Sequence, residues 1–177
     1  MNLPNIFTLI RILLIPVFVI FIINKSFGWA LITFACAGIT DGIDGLIARM
    51  THQKTELGAY LDPIADKLLL FSAFISLTII DMIPSWLVVI IITRDVIILI
   101  GFFVMFLTSY HPKISPSLLS KATTVFQIVT ILLVLMAGYS SFFKQLSMIA
   151  IYGTAGMTII SGSHYIYVGT RILNEKK

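Results

Sequence analysis

Long apolar runs separated by short polar breaks divide the chain into six stretches of helical length. The runs fall at residues 8–23, 29–50, 58–80, 84–107, 117–137 and 143–170. Their lengths scatter around the roughly 20 residues that a bilayer-spanning helix needs. The breaks have turn and loop chemistry: residues 24–28 and 81–84 read as short turns and residues 51–57 as a polar loop. Residues 108–116, with His111, Lys113, Pro112 and Pro116, form a longer loop. The pattern predicts an all-α integral membrane protein, a bundle of about six transmembrane helices. The helices make one domain over residues 1–177, with room for a short interfacial helix before the first span. Pro63 lies inside the third predicted helix and loosens its first turns.

One stretch is out of place in this apolar background. Asp41, Asp44, Glu56, Asp62 and Asp66 all lie within residues 41–66, although the whole chain has only 8 acidic residues. On a helix, Asp41 and Asp44 are i, i+3 neighbours and Asp62 and Asp66 are i, i+4 neighbours, so each pair projects from one face. Two helices joined by the loop at 51–57 bring four carboxylates toward one another. An unpaired Asp at membrane depth costs roughly 2.5–3.5 kcal/mol, and four cost on the order of 10 kcal/mol. A carboxylate box without a matching set of bases calls for hard divalent cations, Mg²⁺ or Mn²⁺, with oxygen ligands.

Composition agrees with a membrane setting. The chain is 58% hydrophobic and 11% charged, with a mean hydropathy of +1.03; soluble domains carry roughly 25% charged residues. The net charge of +4 and pI near 9.3 do not imply nucleic acid, because no basic stripe exists. Most of the cations lie in loops and near helix ends, where anionic lipid headgroups are their partners. With both termini on one side, that side collects Arg49, Lys54, Lys113, Arg171, Lys176 and Lys177, against Lys25 and Lys144 on the other. The excess places the termini and the motif loop in the cytoplasm, as in a prokaryotic cytoplasmic membrane. Cys36 has no partner for an internal disulfide, and the N-terminus lacks the basic and small-residue features of a removable signal peptide.

Other polar positions are sparse. Asn5, Thr8 and Arg11 recur every three residues within one third of a helix circumference, and interfacial anchoring with Arg11 snorkelling to headgroups accounts for them as they stand. Arg94 and Asp95 lie mid-span and must face the bundle interior or water, as a structural ion pair or as a phosphate site. The last span carries Gly153, Ala155, Gly156, Ser161, Gly162 and Ser163, small residues that allow close packing within the bundle or against a second subunit. His52, His111 and His164 are scattered and carry no chemistry.

The series Asp41-x-x-Asp44-Gly45-x-x-Ala48-Arg49, eight residues, Gly58, three residues, Asp62, three residues, Asp66 resembles the signature of the CDP-alcohol phosphatidyltransferases at every defined position. The resemblance implies transfer of a phosphatidyl group from CDP-diacylglycerol to an alcohol, with release of CMP. It implies Asp41, Asp44, Asp62 and Asp66 as ligands of two metal ions, with Asp66 also the general base for the acceptor hydroxyl. Gly45, Ala48 and Gly58 admit the nucleotide to the helix backbones, and Arg49 supplies a cation for the pyrophosphate. Family members often begin with an Asn-x-x-Thr-x-x-Arg pattern, which puts Asn5 and Thr8 near the nucleotide. A homodimer is common in the family. The chain shows no Ser-His or Cys-His nucleophile, which favours direct in-line attack.

Asn2–Asn5, Arg94 and Ser120-Lys121-x-x-Thr124-x-x-Gln127 look like the branch containing phosphatidylglycerol-phosphate synthases and cardiolipin synthases. The first of these usually have Glu after the arginine and a second lysine where this chain has Thr123. Asp95 and the single Lys121 look more like cardiolipin synthase, which implies phosphatidylglycerol as acceptor, with glycerol 3-phosphate the alternative. Arg94 and Lys121 are the expected acceptor-binding residues, facing the interior. A membrane cation transporter would also place aspartates in helices. It leaves the two glycines, Ala48 and Arg49 unexplained.

Overall fold

A computed structural model describes residues 3–51, 56–107 and 118–174, and the side chains of residues 8–40, 61–101, 103 and 118–171. Among the described residues there are six α-helices and no strand: α1 Leu3–Ile23, α2 Phe27–Thr51, α3 Glu56–Ile79, α4 Ser85–Leu107, α5 Leu118–Met136 and α6 Ser141–Asn174. The number and order of helices follow the apolar runs. The N-terminus differs, because α1 begins at Leu3 and runs on without a separate interfacial helix. Pro4 is accommodated there, since a first-turn residue has no intrahelical N–H bond to lose.

Two helix ends are closed in the same way. Lys25 has φ 56° and Asp81 has φ 61°. Ser26 N donates to Phe21 O and Lys25 N to Ile22 O, while Met82 N donates to Leu77 O and Asp81 N to Thr78 O. Each is a Schellman closure with a non-glycine residue in the left-handed position.

α1 packs between α2 and α3, while α6 lies along α5 and α4. Phe18 and Ile22 of α1 meet Phe34 of α2, and Leu69, Phe74 and Leu77 of α3 close on them. Leu87 and Ile91 of α4 and Ile131 and Leu135 of α5 complete the core. Hydroxyls hold α5 to α6: Thr130 Oγ1 lies 2.7 Å from Thr154 Oγ1, and Thr130 also donates to Ala150 O. Gly153 admits the Phe126 ring, and Gly162 admits the Arg94 stem; a Cβ at either would lie 3.4 Å from it. Part of the small-residue face of α6 therefore packs inside the bundle.

Polarity runs inside out. Arg11, Arg94, Gln127 and several threonines are buried, while Leu13, Ile20, Ile79, Leu99 and Ile149 are exposed. That distribution suits a hydrocarbon surround. Among the described residues, Leu118–Met136 and Ser141–Arg171 are long and apolar enough to cross a membrane.

Candidate active site

The site is built where α1 meets the first turns of α3. Thr8 Oγ1 donates to Asp62 Oδ1 and Arg11 Nη1 to Asp66 Oδ1, each at 2.5 Å. Three residues separate the donors and four separate the acceptors, so matching stripes of two helices face each other. Arg11 is 0% exposed, which overturns the expectation that it snorkels to headgroups. A guanidinium taken out of water needs a carboxylate, and Asp66 supplies one. The Asp66 side chain is itself 44% exposed, so it keeps access to an incoming group.

A second cluster is built around Arg94 of α4. Arg94 is buried on α4 and donates to Asp95 Oδ1 at 2.7 Å, to Ser120 Oγ of α5 at 2.7 Å and to Ser161 Oγ of α6 at 2.9 Å. Its guanidinium carbon lies 5.8 Å from the centre of the Tyr165 ring. Lys67 of α3 pairs with the other Asp95 oxygen at 2.7 Å. One carboxylate thus takes two cations, and α3 is tied to α4 beside Asp66.

The two clusters share a cavity of about 360 Å³, lined by Asp66, Lys67, Arg94, Asp95, Ser120, Thr124, Gln127 and Tyr165 with apolar neighbours. Arg94 and Asp66, far apart in sequence, are brought to one space. Lys121 is not: it is exposed and absent from that lining, contrary to the expectation that it faces the interior. Thr123 is also outside the cavity, fully buried with its hydroxyl donating to Leu119 O and Met157 O. The stripe of α5 that lines the cavity is Ser120, Thr124 and Gln127.

The α2 backbone carries Asp41, Asp44, Gly45, Ala48 and Arg49, and α3 carries Gly58. Their side-chain placement, like that of Asn5, lies outside the described residues. Among the described residues there is no group of three or more His, Cys, Asp or Glu that could hold a metal ion. Asp62 and Asp66 stand one helical turn apart as all-oxygen donors, the chemistry that suits a hard divalent cation.

Sequence reasoning did not single out Lys67 or Ser161 as site residues, and it met Arg11 and Gln127 only inside family-like patterns, without giving either a role of its own. A signal for Gln127 existed: Ser120, Thr124 and Gln127 repeat at i, i+4 and i+7.

A family model for CDP-alcohol phosphatidyltransferases matches residues 1–160. The chain belongs to that family. It is 34% identical over 193 residues to a cardiolipin synthase (CMP-forming) of Rattus norvegicus, covering 99% of this chain and 64% of the relative. Over 178 residues it is 30% identical to a cardiolipin synthase (CMP-forming) of Streptomyces coelicolor, covering 95% of this chain and 81% of the relative. Over 110 residues it is 41% identical to a CDP-diacylglycerol--glycerol-3-phosphate 3-phosphatidyltransferase of Bacillus subtilis, covering 53% of this chain and 56% of the relative. The chain thus spans under two thirds of the length of the rat relative.

Proposed function

We propose that this chain transfers the phosphatidyl group of CDP-diacylglycerol to the hydroxyl of an anionic alcohol, phosphatidylglycerol in preference to glycerol 3-phosphate. The observation that carries the proposal is the shared cavity: a carboxylate able to accept a proton, Asp66, lines the same space as Arg94 and Lys67, which suit a phosphate. The acceptor oxygen attacks the lipid-bearing phosphorus in line. A bond forms there, the bond to the bridging oxygen breaks, and CMP leaves with the electron pair. Asp66 takes the hydroxyl proton.

Asp41, Asp44, Asp62 and Asp66 would hold Mg²⁺ or Mn²⁺, two ions, and when bound these neutralise the pyrophosphate and the developing charge on CMP. Asp62 is oriented by Thr8 and Asp66 by Arg11. Arg49 pairs with the pyrophosphate, Gly45, Ala48 and Gly58 leave room for the nucleotide, and Asn5 lies near it. Six helices cross the cytoplasmic membrane with the termini toward the cytoplasm, their exposed apolar faces meeting lipid tails. The protein works as a homodimer.

Two observations favour phosphatidylglycerol. Asp95 already engages both cavity cations, leaving charge for a diester rather than a dianion. Similarity to relatives named cardiolipin synthase also runs the length of the chain. Glycerol 3-phosphate remains the second acceptor, because the Bacillus subtilis relative is named for it. The test is to supply the purified protein with CDP-diacylglycerol and each alcohol in turn and identify the lipid formed. Cardiolipin is expected. Phosphatidylglycerol phosphate alone would replace the acceptor, and no lipid from any alcohol would overturn the transferase assignment.

A further inference from the structure

We infer that Gln127 is a binding residue for the phosphate of the acceptor alcohol, a role that rests on the transferase function proposed above. Gln127 is 5% exposed and lines the cavity between α3, α4 and α5. Its Nε2 is buried with no hydrogen-bond partner among the described residues. Buried amide donors are nearly always satisfied, so an orphan beside a cavity marks a place where something else supplies the acceptor atom. The terminal amide torsion is soft, and a modest turn carries the N–H toward the cavity.

The neighbouring cations cannot fill this role alone. Arg94 gives Nη2 to Ser120 and Ser161 and Nη1 to Asp95, and its Nε, like Gln127 Nε2, is buried with no hydrogen-bond partner among the described residues. Lys67 is committed to the same carboxylate. Arg94 therefore supplies positive potential, while most of its donors are already engaged. A further cation in the cavity would stand uncompensated whenever the acceptor is absent. A neutral amide avoids that penalty and still donates to an anionic oxygen. The shared chemistry is a phosphate oxygen, carried either by a lipid diester or by free glycerol phosphate.

The test uses Gln127→Leu, which keeps bulk and removes the donor, and Gln127→Glu, which adds a repelling charge. Both are compared with the parent protein in detergent, with CDP-diacylglycerol and, in separate arms, phosphatidylglycerol and glycerol 3-phosphate. The KM for the acceptor used should rise roughly tenfold or more in Gln127→Leu, the scale of a hydrogen bond to a charged group. Gln127→Glu should raise it further, and the KM for CDP-diacylglycerol should hold in both. The arm that responds names the source of the phosphate. Without substrates, Gln127→Leu should melt at or above the parent temperature, because an unsatisfied donor has gone. An unchanged acceptor KM, or equal changes for both substrates, would overturn the role of Gln127 while leaving the transferase intact. A parent protein that makes no lipid from either acceptor would remove both.

Discussion

Arg11 of α1 and Asp66 of α3 form an ion pair in which the guanidinium is wholly buried and the carboxylate is 44% exposed. That asymmetry lets α1 hold Asp66 from one side while its carboxylate lines the cavity. Thr8 holds Asp62 from the same helix. The first helix is thus a positioning element for the aspartates of the third.

Replacing Arg11 by Lys keeps the charge and loses the planar fork that fixes the direction of the contact. Turnover should fall at least about tenfold, since a general base displaced by even 1 Å transfers protons poorly. The stability loss should stay near ~1–3 kcal/mol, as for a hydrogen bond to a charged group weakened rather than removed. Kinetics and thermal unfolding in detergent together check this. Wild-type turnover in Arg11→Lys would show that the pairing is purely structural.

Divalent metal should be required for activity. Four aspartates concentrated in one stretch of a chain with 8 acidic residues need counter-charge, and an all-oxygen donor set favours Mg²⁺ or Mn²⁺. Excess chelator should abolish lipid synthesis and either ion should restore it. Asp62→Asn should weaken Mn²⁺ binding, measured directly by paramagnetic resonance. Full turnover in chelator would sink the requirement.

The helices and the aspartate motif were legible because apolar runs and fixed spacings are local properties of the chain. The inward face of each helix was not. In a soluble bundle the polar side marks the outside, but α1 and α4 are apolar nearly all round, and the polar stripe of α5 faces the cavity rather than the surround, so periodicity does not give the rotation in the usual way. Lys121 shows the consequence: taken as an inward cation, it sits one position off the lining stripe of Ser120, Thr124 and Gln127. Arg11 shows the converse, an apparent surface anchor that is buried because Asp66 faces it. Pairings between side chains 55 residues apart need the helices placed in space before they can be read.

Lys25 and Asp81 hold left-handed backbone at the ends of α1 and α3. A side chain in that region costs roughly 1–2 kcal/mol relative to glycine. Lys25→Gly should therefore raise stability by up to ~1 kcal/mol, the gain being offset in part by the freer unfolded chain. The turn lies away from the cavity, so turnover should not change. A lower melting temperature would mean that the Lys25 side chain makes a contribution larger than the backbone strain.

Acceptor choice should respond to Asp95 and not to Thr123. A lysine at position 123 is the natural way to add charge for glycerol 3-phosphate, and the resemblance to phosphatidylglycerol-phosphate synthases implies one there. The structure removes that route: Thr123 is fully buried between α5 and α6 and bonded to Leu119 O and Met157 O. Thr123→Lys should wedge an ammonium into a packed interface and destabilise the bundle by several kcal/mol, on the order of 3 or more. Asp95→Asn changes the same charge balance from within the cavity. It keeps the shape, removes one negative charge, and loosens Lys67 and one Arg94 donor. Arg94 stays anchored by Ser120 and Ser161. A dianionic monoester gains more from that change than a monoanionic diester. The ratio of kcat/KM for glycerol 3-phosphate over phosphatidylglycerol should rise by about tenfold, one charge-assisted hydrogen bond in scale. Measuring both acceptors on Asp95→Asn and on the parent protein checks it. A ratio that stays fixed would mean that the Asp95 carboxylate only ties α3 to α4 and takes no part in choosing the acceptor.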